Sequence, residues 1–340
     1  KKLLMTAKQL YFILFLFCIN PMQSQEYFYT NQNKITGTIN PSFYGFDESS
    51  QLGVIYGNES IANSDSNIEN TFAFGSTYFE DFNFSIAFDV NLFKINALGY
   101  STTQANLHYI YRTQLSYDWI LNASISVGYG NSKVDFSSLV FQDQIDVFTG
   151  NISGLTIDPV NASNKVGYVD IGAGFHVHNS KNLFVGLNVK HVNQPDISFN
   201  SEASNKKDLF LSLQAGYEYD LNPYQQNRLP PNSFLFLYAS VSKQATKSRI
   251  DFYQEAILDN FSIGINQHIN NYLGTSIATF GASASVFLEQ LEIGANYSFE
   301  LESKKLTGVA YNYFELFMIF DFLKLDSHGR GNNSRFFNFN

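Results

Sequence analysis

From residue 51 onward, apolar and polar side chains alternate with a period of two, over segments longer than soluble strands usually run. Between Asn106 and Tyr117 one face carries Leu107, Tyr109, Tyr111, Thr113, Leu115 and Tyr117; the other carries Asn106, His108, Ile110, Arg112, Gln114 and Ser116. The next segment sets Trp119, Leu121, Ala123, Ile125, Val127 and Tyr129 against Ile120, Asn122, Ser124, Ser126, Gly128 and Gly130. The sorting returns where Val169, Ile171, Ala173, Phe175 and Val177 oppose Asp170, Gly172, Gly174, His176 and His178, and again across 209–220 and 291–301. Successive side chains of a strand point to opposite faces. Each segment is therefore oily on one side and wet on the other.

Soluble β-sandwiches alternate too, so segment length and the segment ends decide the solvent. Runs of about 9 to 13 residues exceed the five or six typical of soluble strands and match what a tilted bilayer crossing needs. Many apolar faces end in Tyr, Trp or Phe, as aromatic girdles at the headgroup level do. About fourteen segments are predicted, with 12–16 as the range: near 51–57, 70–78, 83–90, 101–115, 119–129, 165–178, 182–192, 208–220, 233–242, 248–257, 260–267, 275–287, 291–300 and 308–322. Unpaired backbone groups at a sheet edge in hydrocarbon would cost several kcal/mol each, which favours closure. The expected fold is all-β: a transmembrane antiparallel up-and-down β-barrel over residues 51–322.

Gaps after even-numbered segments are mostly tight, as in Ser116-Tyr117-Asp118 and Leu258-Asp259, while gaps after odd-numbered ones are longer. That is the outer-membrane asymmetry of short periplasmic turns and long external loops. It predicts periplasmic termini, a periplasmic N-terminal segment over 26–50, a periplasmic tail over 323–340, and external loops at 130–164 and 193–207. Leu221 to Asn232 is long where a short turn is expected.

Composition agrees. Charged residues make up 15%, below the roughly 25% of soluble domains, and aromatics reach 16% through 34 Phe and 21 Tyr. One Cys rules out a disulfide scaffold or a cysteine-ligated zinc site. A net charge of −9 without a Lys/Arg cluster lacks the footprint of a nucleic-acid binder. Lys1, Lys2 and Lys8 precede an apolar run from Leu10 to Ile19, then Gln23-Ser24-Gln25, which reads as a secretory signal peptide over residues 1–25.

Catalytic chemistry is sparse. His176 and His178 share a polar face and His108 points inward from another segment, but no carboxylate or Cys joins them at ligand spacing, so they read as lumen filler and no metal is expected. Gly172-Ala173-Gly174 lacks the following helix of a dinucleotide fingerprint, and no cofactor is expected. Asp143, Asp146, Asp158 and His191 are available for a hydrolase at a barrel rim, yet no Ser stands in a nucleophile elbow, so no enzyme is expected.

Several stretches resemble the PorP/SprF family of type IX secretion system membrane proteins of gliding and secreting Bacteroidetes. Ile39-Asn40-Pro41-Ser42-Phe43-Tyr44-Gly45 looks like the family's early Asn-Pro-Ala-x-x-Gly signature. Leu139-Val140-Phe141-Gln142-Asp143-Gln144-Ile145 is similar to its Leu-Ile-Phe-x-Asp-Gln stretch, and is followed by Ile157-Asp158-Pro159 and Val169-Asp170-Ile171-Gly172-Ala173-Gly174. Most specific is Leu183 through Pro195, with Gly186, Lys190, His191 and Pro195 at the family's positions. The first strand departs from the pattern: Val54-Ile55-Tyr56-Gly57-Asn58 lacks the Arg and Trp that members commonly carry there. The resemblance implies an outer-membrane barrel, in contact with lipid, that works with type IX secretion components to export or anchor a large secreted surface adhesin. It implies no catalytic residues. The competing expectation is a passive porin or a transporter of apolar solutes, which a plugged lumen would count against.

Overall fold

The computed structural model describes residues 29–46, 49–61, 67–135, 140, 142–146, 149–152, 164–179, 182–199, 204–224, 229–272, 275–301 and 311–322. The signal segment, Phe141, Asp158 and the tail from 323 lie outside these residues.

The described residues form fourteen antiparallel strands closed into one barrel, each paired with its sequence neighbours and the last with the first. They are β1 (Gln51–Ile61), β2 (Asn67–Phe79), β3 (Phe84–Ile95), β4 (Tyr100–Ser116), β5 (Trp119–Val134), β6 (Lys165–Asn179) and β7 (Leu183–Lys190). The circuit continues through β8 (Phe210–Asp220), β9 (Ser233–Gln244), β10 (Lys247–Leu258), β11 (Phe261–Tyr272), β12 (Thr275–Leu288), β13 (Leu291–Glu300) and β14 (Tyr311–Asp321). Every predicted segment is a strand. β1 meets β14 over eleven residue pairs, from Gln51↔Asp321 to Ile61↔Tyr311, so no ladder is left open.

The two rows separate as the alternation requires. On β4, Leu107 is 56% exposed and its neighbour His108 2%; on β5, Ile125 is 61% exposed and Ser124 3%. The exposed row is the apolar one, the arrangement of strands in an outer-membrane barrel. Tight turns join β10 to β11 and β12 to β13, with Asp259 and Glu289 in left-handed backbone (φ 54° and 53°).

Three expectations are corrected. The N-terminal segment predicted to lie in the periplasm over 26–50 instead runs inside the barrel from Tyr29 to Phe46, nearly all of it buried. The inner faces are not uniformly polar: Ile55, Phe72, Phe74 and Ile110 form one apolar cluster, and Phe184, Phe234, Phe236 and Tyr253 another. These two patches need an apolar partner within the lumen, and the N-terminal segment supplies Tyr29, Ile35 and Tyr44 to the first and Phe43 and Phe46 to the second. Finally, the connection from β9 to β10 is short, with only Ala245 and Thr246 between the strands, because both strands extend beyond their predicted ends.

Candidate functional site in the barrel lumen

The lumenal segment consists of three 3-10 turns, Gln32–Lys34, Thr36–Thr38 and Pro41–Gly45. Short turns suit it because a chain folded back on itself within a barrel has no room for a long regular element. Its backbone polar groups are satisfied partly within the turns, as where the Ile35 amide donates to the Gln32 carbonyl, and partly by side chains of the wall, as where the Gln32 amide donates to Tyr253 OH.

One half is held by charge. Lys34 Nζ forms an ion pair with Glu255 on β10 and another, at 2.8 Å, with Glu292 on β13. It also donates to Ser262 Oγ at 3.2 Å and Ser285 Oγ at 3.3 Å. Asn33 Nδ2 donates to Glu255 Oε2 at 3.0 Å, and the Thr30 amide donates to Glu315 Oε1 at 2.6 Å. Arg249 Nη2 reaches the Tyr29 carbonyl at 3.2 Å while its Nε pairs with Asp251, which also contacts His268 Nδ1 at 2.7 Å. A buried charge is tolerated when it is paired and its remaining hydrogen bonds are made. Four partners on Lys34 meet that condition.

The other half is held by amides. Asn40 is wholly buried; its Oδ1 accepts from the Ser42 amide at 3.1 Å, capping the turn that Pro41 opens. Its Nδ2 donates to the Phe175 carbonyl on β6 at 3.1 Å and to Gln214 Oε1 on β8 at 3.0 Å. Asn188 Nδ2 reaches the Ile39 carbonyl and Lys190 Nζ the Thr38 carbonyl, both at 2.6 Å. A Cβ added to Gly174 would stand 2.5 Å from Asn40 Oδ1, and one added to Gly186 would stand 2.8 Å from Asn40 Nδ2. Glycine at these two wall positions makes room for the Asn-Pro turn. Gly45 ends the turn, its carbonyl accepting from Asn122 Nδ2 at 3.4 Å, and Gly172 lies near the Val189 carbonyl on β7.

The structure thus gathers Asn40, Pro41, Gly45, Gly172, Gly174, Gly186 and Lys190, distant in sequence, around one turn. Asp170 and His191 join the same wall: His191 Nδ1 lies 2.7 Å from Asp170 Oδ2, both buried, with His191 in left-handed backbone at φ 60°. Pro195 is held through its carbonyl, which accepts from the Lys207 amide at 2.9 Å. Asp143 and Gln144 stand apart on a short 3-10 turn, Asp143 exposed, so His191 and the loop carboxylates Asp143 and Asp146 are in different environments. His176 and His178 stack at 5.2 Å between centroids; Phe43 packs on His176 at 4.2 Å and Phe46 on His178 at 4.6 Å. His108 pairs with Asp89 at 2.7 Å.

The family model described as type IX secretion system membrane protein PorP/SprF matches residues 19–320. The chain belongs to the PorP/SprF family. Membership places this PorP/SprF barrel in the outer membrane and in the context of type IX secretion. None of the curated proteins matches it. Among solved structures, it is similar to the TodX deltaS2S3 mutant monoaromatic hydrocarbon channel, with a TM-score of 0.51 at 10% identity over 88% of this chain and 96% of that one. Omp33 of Acinetobacter baumannii gives 0.47 at 10% identity over 81% and 100%. A Pseudomonas aeruginosa FadL homologue gives 0.48 at 11% over 84% and 93%. At such identity the likeness to TodX shows the barrel fold alone.

Sequence reasoning missed the charged anchors of the PorP/SprF plug: Lys34, Arg249, Glu255, Glu292 and Glu315. Their signal was present. Arg249 and Glu255 on β10, Glu292 on β13 and Glu315 on β14 all sit in the row opposite the exposed apolar residues, in a chain poor in charge.

Proposed function

We propose that this barrel is a closed structural component of the type IX secretion and gliding machinery, supporting export or surface anchoring of a large adhesin-type client. The observation that carries the reading is the lumen occupied by the chain's own segment 29–46, bound to the wall by ion pairs, amides and two apolar clusters. A passive porin needs an unobstructed water path. A station in a secretion complex instead needs a rigid barrel and accessible ends. In this reading the ends of the barrel sheet, Gln51 and Asp321, face the periplasm with the short turns, and the long 135–164 and 191–209 connections face outward to meet partners. No catalytic step is assigned to the chain.

The test is deletion of the gene, followed by immunodetection of surface adhesin and assay of colony spreading. Loss of surface adhesin and of spreading is expected. Normal surface adhesin and normal spreading overturn the proposal, as does steady conductance of the purified wild-type barrel in planar bilayers.

A further inference from the structure

The plug does not fill the lumen evenly. Between its Gly37–Pro41 portion and the inner rows of β2 to β7 lies an open cavity of about 650 Å³ counting the solvent at its mouth, lined among others by Asp89, Asn91, Asn106, Asp170, Asn188 and Lys190. Asn91, Asn106 and Lys190 are half-buried, so the cavity meets solvent.

Its wall is a continuous hydrogen-bonded chain. His108 Nε2 lies 2.7 Å from Asp89 Oδ2, and Asp89 Oδ1 accepts from Asn106 Nδ2 at 2.6 Å. Asn106 Oδ1 in turn accepts from Gln104 Nε2 at 3.1 Å, and that amide also donates to Asp170 Oδ2 at 3.0 Å. The chain fixes these side chains and leaves particular groups over. Asp170 Oδ1 is buried with no hydrogen-bond partner. An amide nitrogen donates two hydrogen bonds. Asn106 Nδ2 makes one within the wall, and Asn91 takes part only as an acceptor, from Tyr29 OH at 3.3 Å. The lining thus holds spare donors at Asn91 and Asn106 and a spare acceptor at Asp170.

We infer that this cavity is a binding site for a neutral polyhydroxylated ligand, a saccharide unit. A hydroxyl is both donor and acceptor, so the hydroxyls of one ring can answer both the spare donors and the spare acceptor. An anion would meet Asp89 and Asp170, and the one cation on the wall, Lys190, already donates to the Thr38 carbonyl. A simple cation would find carboxylates already engaged by His108 and His191, and no group of three or more His, Cys, Asp or Glu able to hold a metal ion occurs among the described residues. An apolar solute would leave buried amides and carboxylates without partners, at a cost of about 1 to 3 kcal/mol for each.

The site is tested with the full mature barrel in detergent, by isothermal titration with D-glucose, D-galactose, D-mannose and their disaccharides, and with sodium acetate and choline chloride as charged probes. One of the neutral sugars is expected to bind one-to-one. Asn106→Leu, which replaces the spare donor with an apolar group, should weaken that binding by about tenfold or more, equivalent to about 1.4 kcal/mol. Asn91→Leu, on a neighbouring strand, should do the same, so that misfolding of one variant does not decide the outcome; folding of each is followed by heat-modifiable gel migration. Saturation by a monosaccharide points to a free sugar, and binding of disaccharides alone points to a unit of a surface glycan; both support the site. No heat from any neutral sugar, equal binding by the folded Asn106→Leu and Asn91→Leu barrels, or tighter binding of acetate or choline overturns it.

Discussion

Lys34 Nζ and Glu292 Oε1 stand 2.8 Å apart inside the barrel, joining a turn of the N-terminal segment to the inner row of β13. Glu255 on β10 completes a clasp around the same ammonium. Removing one partner of a buried ion pair costs about 3 to 5 kcal/mol, because it strands the other charge. Lys34→Ala leaves two carboxylates facing each other without a cation, and water entry is the cheapest relief. The wild-type barrel should be silent in planar bilayers and Lys34→Ala should show stepwise conductance. The triple variant Lys34→Met, Glu255→Gln, Glu292→Gln removes the stranded charge and should return to silence. Conductance of Lys34→Ala no different from wild type would refute the clasp as a seal.

The amide half of the plug is tested at Gly174. A methyl group there meets Asn40 Oδ1 at 2.5 Å and the Ser42 and Ser124 hydroxyls at 2.8 Å, none of them the end of a long flexible chain. Overpacking of this kind costs about 1 to 3 kcal/mol. Gly174→Ala should shift the Asn-Pro turn off the wall while the barrel ladder persists. A cysteine placed at the buried Ser42 should be protected from a thiol reagent in the parent and labelled in Gly174→Ala, with heat-modifiable migration unchanged. Equal labelling would show that the wall accommodates the methyl group.

The barrel was legible because a membrane imposes a single rule on every strand: one row meets lipid, and that row reads as period two with aromatic ends. The plug was not legible because its residues obey no period. Tyr29 to Phe46 is held by long-range contacts, such as Thr30 with Glu315 and Asn40 with Gln214, that no local pattern records. The inner rows did carry a sign of it. Phe72, Phe74, Phe184 and Phe236 stand at positions facing a lumen, where bare water would be costly, and Lys34 is the only Lys or Arg between Gln9 and Ile55. The family motifs marked much of the amide half, Asn40, Gly174 and Gly186, and left the charged half unmarked.

The identity of the outer row as a lipid contact has its own test. Ile125 lies midway along β5, faces outward and is 61% exposed. Ile125→Arg should lower folding stability in vesicle bilayers by about 2 to 4 kcal/mol, the cost of Arg on the lipid face near the midplane. Ser126→Arg, one residue on, points into the polar cavity and should cost markedly less. Equal effects of the two, read from urea titrations of barrel folding, would contradict the assignment of rows.

The loop after β7 carries a pH signature of its own. Asp196 accepts from the Ser198 hydroxyl, from the Ser198 amide at 2.9 Å, from Ser204 Oγ at 2.9 Å and from the Asn205 amide at 3.3 Å. These bonds, the Ser198 hydroxyl first, hold its carboxyl down to about 2 from the ordinary 3.8. A depressed folded pKa contributes order that is complete above the ordinary value and is lost as pH falls through the lowered one. Protection of the 193–199 and 204–207 amides, read by pulse-labelled hydrogen exchange, should therefore hold from pH 7 to about 4 and fall away between about 4 and 2. Asp196→Asn keeps one carbonyl acceptor and removes the titrating charge, so its protection should be lower at pH 7 and flat across that window. A wild-type loop that stays equally protected at pH 2, or loses protection already between pH 7 and 5, would show that the Asp196 hydrogen bonds do not order it.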